Sequence, residues 1–170
     1  SAYNTTYTVT SVSGANITTS TNSSAFGAYT SGATFNPNPR NVTASIIDAP
    51  NSYSITFVNP TAHPTTVAVT WNTTLPGFSG GSQVDQLGAT AILSYINSIL
   101  VGQPINELEM ISAFQIAVAS VLPTLYLTTL TFAVTVDGSS VSPSAGTSII
   151  ASDPEGYFSA VASGITVAQG

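Results

Sequence analysis

Apolar residues alternate with Thr and Ser in short runs up to about residue 80, and Pro, Gly and Asn separate these runs. The pattern predicts short β-strands joined by turns. The alternation is most regular in residues 66–71, where Val67, Val69 and Trp71 share one face. We expect this half-buried strand to pair with residues 55–58.

Three further segments predict a strand, a loop and a domain boundary. Residues 7–12 alternate and predict a strand, whereas residues 35–40 contain two prolines and predict an extended loop. The Gly-rich segment 77–81 marks a change of period and is the best candidate for a domain boundary. The sequence therefore predicts a β-rich domain over residues 1–78 and an α+β domain over residues 79–170.

After residue 81 the apolar positions recur at spacings of three and four residues, which predicts a helix that ends at Leu100. Ser82 is the expected N-cap, and Asp85 lies three positions on, where an acidic side chain suits the positive end of the helix dipole. Gly102 and Pro104 stop the helix. The apolar stripe comprises Val84, Leu87, Gly88, Ala91, Ile92, Tyr95, Ile96 and Ile99.

A second helix follows after a short turn. Asn106 is its expected N-cap, and Glu107 and Glu109 lie in its first turn. The helix ends before Pro123. Its apolar stripe comprises Leu108, Ile111, Phe114 and Val118.

The period of the apolar positions then returns to two. A strand over residues 125–136 is followed by an Asp-Gly turn signal at 137–138, and later strands are expected near residues 147–151 and 158–167. Residues 153–156 form the turn between these last two strands. The predicted fold class is α+β, with a small N-terminal β unit followed by a helix pair packed on an antiparallel sheet.

Charged residues are scarce. Lys and Arg together number 1, Asp and Glu number 7, and the formal net charge is −6. Arg40 is the single permanent cation. Nucleic-acid binding requires several cationic side chains, so we exclude it, and for the same reason we disfavour binding to anionic membranes. No run approaches the roughly 20 apolar residues of a membrane span, and residues 1–4 lack the basic head and apolar stretch of an uncleaved signal peptide. Cysteine is absent, which removes disulfides, thiolate nucleophiles and cysteine zinc sites.

Catalytic chemistry has few candidate residues. His63 is the one histidine and no G-x-S-x-G elbow occurs, so we interpret His63 as a hydrogen-bonded turn residue rather than a catalytic base. Glu107 and Glu109 are two positions apart on a helix and do not face each other, so they complement the helix dipole. We predict no catalytic, cofactor-binding or metal-binding residues and no enzyme activity.

The acidic residues near the C-terminus raise the question of calcium. Asp153 and Glu155, together with Asp137, supply carboxylates, but no loop spacing matches a calcium site, and an acidic turn is the preferred interpretation. Arg40 is expected to be a buried or interfacial ion-pair partner rather than an anion-binding residue, because one hydrogen-bonded guanidinium can fix a local structure.

The aromatic residues leave a glycan-binding function open. Trp71 closes an apolar strand face and is expected in the core, but tyrosines among Asn and Thr suit a glycan site. Those tyrosines are Tyr3, Tyr7, Tyr29 and Tyr53. Sequons for N-glycosylation occur at Asn4, Asn16, Asn22, Asn41 and Asn72. In so polar a chain their number does not decide the compartment.

Four segments of the chain carry a resemblance to a known family. They are residues 55–64 (ITFVNPTAHP), 67–70 (VAVT), 95–104 (YINSILVGQP) and 165–167 (ITV). Their order resembles the baseplate J-like family, the wedge proteins of contractile-tailed phages and related injection machines. In that family a strand that ends in a proline phrase leads to an alternating strand and then to a helix that ends in a Tyr-Ile-Asn phrase. The similarity covers about residues 45–170.

The resemblance implies a fragment or an unusually short member of the family, acting as a structural component of a tail baseplate. It implies location in the virion, assembly in the cytoplasm of a bacterial host, self-association into a dimer or larger oligomer, and contacts with other baseplate and tail proteins. It brings no catalytic residues. We expect the contacts on the exposed face of the helix over residues 82–100 and on the edge strands of the terminal sheet. The alternative is a secreted or surface-displayed β-rich binding module for ligands such as glycans.

Overall fold

The structure is a computed structural model that describes residues 9–13, 16–19 and 38–170. The chain divides into two units, Ser1–Pro37 and Asn38–Gly170. In the first unit, β1 (Val9–Ser13) pairs antiparallel with β2 (Asn16–Thr19). Most of the strand predicted over residues 7–12 thus falls in β1, and its first two residues lie outside the described ranges.

The second unit contains nine strands and two helices among its described residues. In chain order they are β3 (Asn41–Asp48), β4 (Asn51–Val58), β5 (Thr61–Thr73), α1 (Gly81–Ser98), β6 (Ile105–Asn106), α2 (Glu107–Val118), β7 (Leu127–Val136), β8 (Ser139–Val141), β9 (Ile149–Ile150), β10 (Gly156–Ser159) and β11 (Ile165–Gln169).

The long strand β5 is the centre of the main sheet. On one edge it pairs antiparallel with β7, which continues antiparallel into β8. On the other edge β10 and β11 lie parallel to β5, one after the other along its length. The α+β class is confirmed, and the sheet is mixed rather than wholly antiparallel because the last two strands run in the same direction as β5.

The inward face of β5 explains its central position. Val67, Val69 and Trp71 are buried, and the residues between them are exposed, as the alternation predicts. α1 packs on β10 and β11 over this face, and α2 packs against α1. The core formed in this way also contains Ile92 and Phe114 from the two helices.

The domain boundary predicted at residues 78/79 falls inside the second unit. β5 comes before that boundary, yet its partners β7, β10 and β11 all come after it. Hydrogen bonds and core packing therefore hold residues from both sides in one unit. The structure divides the chain at 37/38 instead.

The helix starts show which capping prediction is right. Asn106 caps α2, because its side chain accepts a hydrogen bond from the backbone N–H of Leu108 at 3.0 Å. Gly80 rather than Ser82 is the N-cap of α1, which has no side-chain cap and no acidic residue in its first turn. The α2 stripe is also shifted. Met110 takes the buried place predicted for Leu108, which is exposed.

A separate hairpin precedes the main sheet. β3 and β4 pair antiparallel over their full lengths, from Asn41 opposite Val58 to Asp48 opposite Asn51. The predicted pairing of residues 55–58 with 66–71 is therefore wrong, because 55–58 belong to β4 and pair with the start of β3. Among the described residues, no further strand joins this two-stranded sheet.

Candidate functional site

The hairpin of β3 and β4 has two chemically different faces. Side chains that are directly opposite in an antiparallel pair lie on the same face, and successive pairs alternate between faces. One face is formed by three consecutive apolar pairs; we call it the apolar face. Its pairs are Val42 with Phe57, Ala44 with Ile55, and Ile46 with Tyr53.

The opposite face is polar in its two central pairs and carries the exposed apolar residues Val58 and Ile47 in its two outer pairs. Thr43 lies opposite Thr56, and their hydroxyl oxygens are 2.8 Å apart in a hydrogen bond. Ser45 lies opposite Ser54 in the next pair of this face. The hairpin is thus amphipathic, a pattern that normally belongs to a sheet with one covered face.

The apolar face is exposed. Its five large side chains are between 41% and 51% exposed, and the central Ala44 is half-buried. A two-stranded hairpin alone is marginally stable in water and needs further strands or another surface on its apolar side. The apolar face is therefore a candidate surface for a partner to cover.

Polar side chains hold the base of the hairpin. Asn38 donates from Nδ2 to both carboxylate oxygens of Glu155, at 2.8 and 2.7 Å, and Arg40 lies 2.6 Å from Oδ2 of Asp153. A second guanidinium nitrogen of Arg40 is 3.8 Å from Glu155. The prediction that Arg40 is an ion-pair partner is confirmed, although its side chain is half-buried at the surface rather than fully enclosed.

His63, in the first part of β5, contacts the same group of charged side chains. Its Nδ1 lies 2.7 Å from Oδ2 of Asp137, and its Nε2 lies 3.4 Å from Oδ2 of Asp153. The hydrogen bond with Asp137 is the main cause that raises the pKa of His63, and Asp153 adds to it. Arg40 in turn is the main cause that lowers the pKa of Asp153. We call Arg40, His63, Asp137, Asp153 and Glu155 the charge cluster.

The charge cluster shows the surroundings of His63 and of the acidic residues near the C-terminus. His63 is hydrogen-bonded as predicted, but it lies within a strand rather than a turn. Because both ring nitrogens face carboxylates, neither is positioned to activate a hydroxyl nucleophile. Within residues 38–170 and the two described strands before them, no group of three or more His, Cys, Asp or Glu side chains is arranged to hold a metal ion. Asp153 and Glu155 have protein partners there.

The residues proposed for a glycan site do not form one platform. Trp71 is fully buried and cannot stack on a sugar. Tyr53 is exposed, but it belongs to the apolar face of the hairpin. Tyr3, Tyr7 and Tyr29 lie outside the described residues.

The exposed faces of the two helices differ in polarity. The outer face of α1 carries polar residues, namely Ser82, Gln83, Gln86, Thr90, Ser94, Asn97 and Ser98. α2 instead exposes Leu108 and Ile116, although its acidic first-turn residues Glu107 and Glu109 are placed as predicted. The apolar face of the hairpin is a candidate contact surface that sequence reasoning missed. Its signal was the alternation of Val42, Ala44 and Ile46 directly after a segment interpreted as loop.

An open groove lies between the end of α1 and the start of α2. It is lined by residues that include Tyr95, Gln103 and Glu109. The Tyr95 hydroxyl accepts from the backbone N–H of Asn106 at 2.8 Å and donates to the carbonyl of the same residue at 3.1 Å. This hydroxyl is already used to join the two helices, so the groove is a weaker candidate than the hairpin.

No family model and no curated protein matches the chain. Among the described residues, no helix is both long and apolar enough to cross a membrane.

Proposed function

We propose that the chain is a structural component of a phage-type tail baseplate, a wedge protein whose copies join through the apolar face of the β3–β4 hairpin. The observation that carries the proposal is the exposure of three consecutive apolar pairs on one face of the hairpin. The resemblance of residues 55–104 to baseplate J-like proteins supports a tail baseplate as the assembly in which the chain acts. The role is mechanical rather than catalytic, with assembly in a bacterial cytoplasm and a final place in the virion.

The partner that fits this face best is a second copy of the chain. Two chains with a net charge of −6 repel each other, so a contact between copies must avoid burying carboxylates. The apolar face carries no charged side chain from the pair of Val42 with Phe57 to the pair of Ile46 with Tyr53; the hairpin's acidic residue, Asp48, lies on the same face one pair further on, at the tip. Two such faces related by a twofold axis are self-complementary.

The size of the apolar face sets the expected strength of the contact. Its three pairs extend over residues 42–46 and 53–57, so the face is about 17 Å long and about 10 Å wide across two strands. Stable interfaces bury about 800 Å² per partner, which is more than this face offers. We therefore expect weak, reversible pairing in solution and a much tighter assembly when several copies and other baseplate proteins are held around one hub.

The test is the mass in solution by light scattering from micromolar to millimolar concentration. The wild-type chain is expected to rise reversibly towards a dimer or larger oligomer. The double variant Ile55→Thr, Phe57→Thr places two good strand formers with hydroxyls on the apolar face and is expected to stay monomeric. The control Ser52→Thr, Ser54→Thr introduces the same residue type on the opposite face of β4 and is expected to behave as the wild type.

Two results would overturn the proposal. One is a wild-type chain that remains monomeric at the highest concentration. The other is an oligomer whose mass is unchanged by the Ile55→Thr, Phe57→Thr variant.

A further inference from the structure

The free edge of β4 presents a defined set of backbone groups. Asn59, directly after β4, donates its N–H to the carbonyl of Arg40 at 2.8 Å, and the two residues are opposite each other in the register of the hairpin. Hydrogen-bonded and non-hydrogen-bonded pairs alternate along an antiparallel ladder. Every second residue of β4 therefore points its N–H and C=O away from β3. These residues are Ser52, Ser54, Thr56 and Val58.

This edge lacks the features that normally keep strands of different molecules apart. Proteins protect sheet edges with charged side chains, proline, bulges or a covering segment. β4 contains no charged residue and no proline, its register with β3 runs without a bulge, and all 8 of its residues are exposed. Among the described residues, no further strand pairs with it. The edge of β4 is therefore able to accept another strand.

A second copy of β4 fits this edge best in one antiparallel register. Residues directly opposite each other share a face, so the apolar residues of one copy must lie opposite those of the other. With Ile55 opposite its own copy on a twofold axis, Tyr53 of each copy lies opposite Phe57 of the other. The next register in either direction instead leaves Phe57 opposite Asn51 or Tyr53 opposite Asn59.

The backbone groups agree with this register. With Ile55 on the axis, Ser54 of each copy lies opposite Thr56 of the other, and both residues point their N–H and C=O outward, as a hydrogen-bonded pair requires. The equivalent pairing of β3 would place Ala44 on the axis and would bring less apolar surface together. β4 is therefore the favoured edge.

We infer that two copies of the chain join edge to edge along β4, with Ile55 opposite Ile55, into one four-stranded antiparallel sheet. The inference rests on the proposed function and deepens it, because it names the geometry in which the copies meet. Edge pairing brings two apolar faces side by side and widens the joint face from about 10 Å to about 20 Å. The wider face comes closer to the area of a stable interface, and two such dimers can pack on each other through it.

Proline substitutions on the opposite face of the hairpin test the edge without changing the apolar face. Ser54→Pro removes one outward N–H of β4, and edge strands tolerate a proline at such a position. The dimer then loses two hydrogen bonds, one from each copy, so self-association measured by light scattering is expected to weaken about tenfold or more. The matched control Ser45→Pro makes the same change directly opposite Ser54, at the free edge of β3. It is expected to associate as the wild type does.

Disulfide cross-linking tests the register independently of the proline variants, because the chain has no cysteine of its own. In the paired sheet the Cα atoms of Ile55 and its copy are about 4.5 Å apart, within the range of a disulfide. Mild oxidation of Ile55→Cys is therefore expected to give a disulfide-linked dimer. The control Ala44→Cys lies directly opposite Ile55 within the hairpin. Its copy is three strand spacings away, about 14 Å, so it is expected to stay unlinked.

The same cross-links distinguish edge pairing from packing of one apolar face on another. Packed sheets lie about 10 Å apart, which is too far for a disulfide between two copies of Ile55→Cys or of Ala44→Cys. Face-to-face packing alone therefore links neither variant.

Circular dichroism on the same samples identifies any variant that is unfolded. Three results would overturn edge pairing along β4: association that is unchanged in folded Ser54→Pro, association that Ser45→Pro weakens equally, or an associating chain whose Ile55→Cys variant does not link. Comparison with the Ile55→Thr, Phe57→Thr variant separates this inference from the proposed function. Association that only Ser54→Pro weakens supports the edge and contradicts the function, and association that only the double Thr variant weakens does the reverse.

Discussion

Trp71 on β5 donates its indole N–H to Oδ1 of Asp85 on α1 at a distance of 2.7 Å. Trp71 is fully buried, and the ring of Phe78 meets it edge-on with centroids 6.0 Å apart. The hydrogen bond satisfies the polar atom of the largest buried side chain and fixes α1 along the central strand. Asp85 therefore joins the helix to the sheet instead of capping the helix.

Replacement of Asp85 by Ala is expected to destabilise the fold by about 1–3 kcal/mol, because the indole N–H of Trp71 would stay buried without its acceptor. Asp85→Asn keeps a side-chain oxygen that can accept this hydrogen bond and is expected to lose less stability. Urea unfolding followed by the fluorescence of Trp71, the single tryptophan, measures both variants. An Asp85→Ala variant as stable as the wild type would contradict this role.

Two glycines of α1 are expected to respond in opposite ways to the same substitution. A Cβ at Gly88 would overlap the ring of Phe114, which is fully buried, so Gly88→Ala is expected to cost about 1–3 kcal/mol. A Cβ at Gly81 would lie 3.6 Å from Oε1 of Gln169, an ordinary contact. Gly81→Ala is expected to stabilise by about 0.4–1 kcal/mol. Chemical unfolding of the two variants tests the pair, and equal effects would mean that α1 and α2 are not packed so closely.

The charge cluster gives stability a defined pH dependence. The pKa of His63 is raised above its ordinary 6.5. The contribution of His63 to the free energy of unfolding is therefore fully present below pH 6.5 and is lost as the pH rises through the raised pKa. The pKa of Asp153 is lowered from its ordinary 3.8. The contribution of Asp153 to the free energy of unfolding is therefore fully present above pH 3.8 and is lost as the pH falls through the lowered pKa. Both contributions are complete between pH 3.8 and pH 6.5.

Urea midpoints are therefore expected to be higher at about pH 5.5 than at about pH 8.5. His63→Gln removes the titrating group, and its midpoint is expected to change less between these two pH values. A wild-type midpoint that rises with pH over this interval, or a His63→Gln variant with the full wild-type dependence, would contradict the assignment to His63.

Local sequence signals were sufficient for much of the fold. The alternation around Val69 identified the central strand, because one face of β5 is covered and the other is not. Asn106 was recognisable as a cap because capping depends on residues two or three positions away. Asp137 and Gly138 form the predicted turn, and both have positive φ, at 51° and 77°.

Long-range pairing was beyond the reach of these signals. The sequence of residues 55–58 is compatible with pairing to β5 and with pairing to β3. The alternation along the whole of β3 is what identifies β3 as the partner. The charge cluster was equally hidden, since His63 and Asp137 are 74 positions apart and Asn38 and Glu155 are 117 apart. At the start of α2, Leu108 precedes the apolar Ile111 by three positions and Met110 precedes Phe114 by four, so apolar spacing alone allows either residue to begin the buried stripe.

The most direct test of the central claim is hydrogen exchange of the backbone amides at low and high protein concentration. A hairpin with an uncovered apolar face opens often, and a second copy on that face suppresses the opening. We expect the amides of β3 and β4 to exchange more slowly as the concentration and the mass rise, while those on the polar outer face of α1 keep their rates. Unchanged exchange in the hairpin of an oligomeric chain would contradict the claim that the apolar face joins the copies.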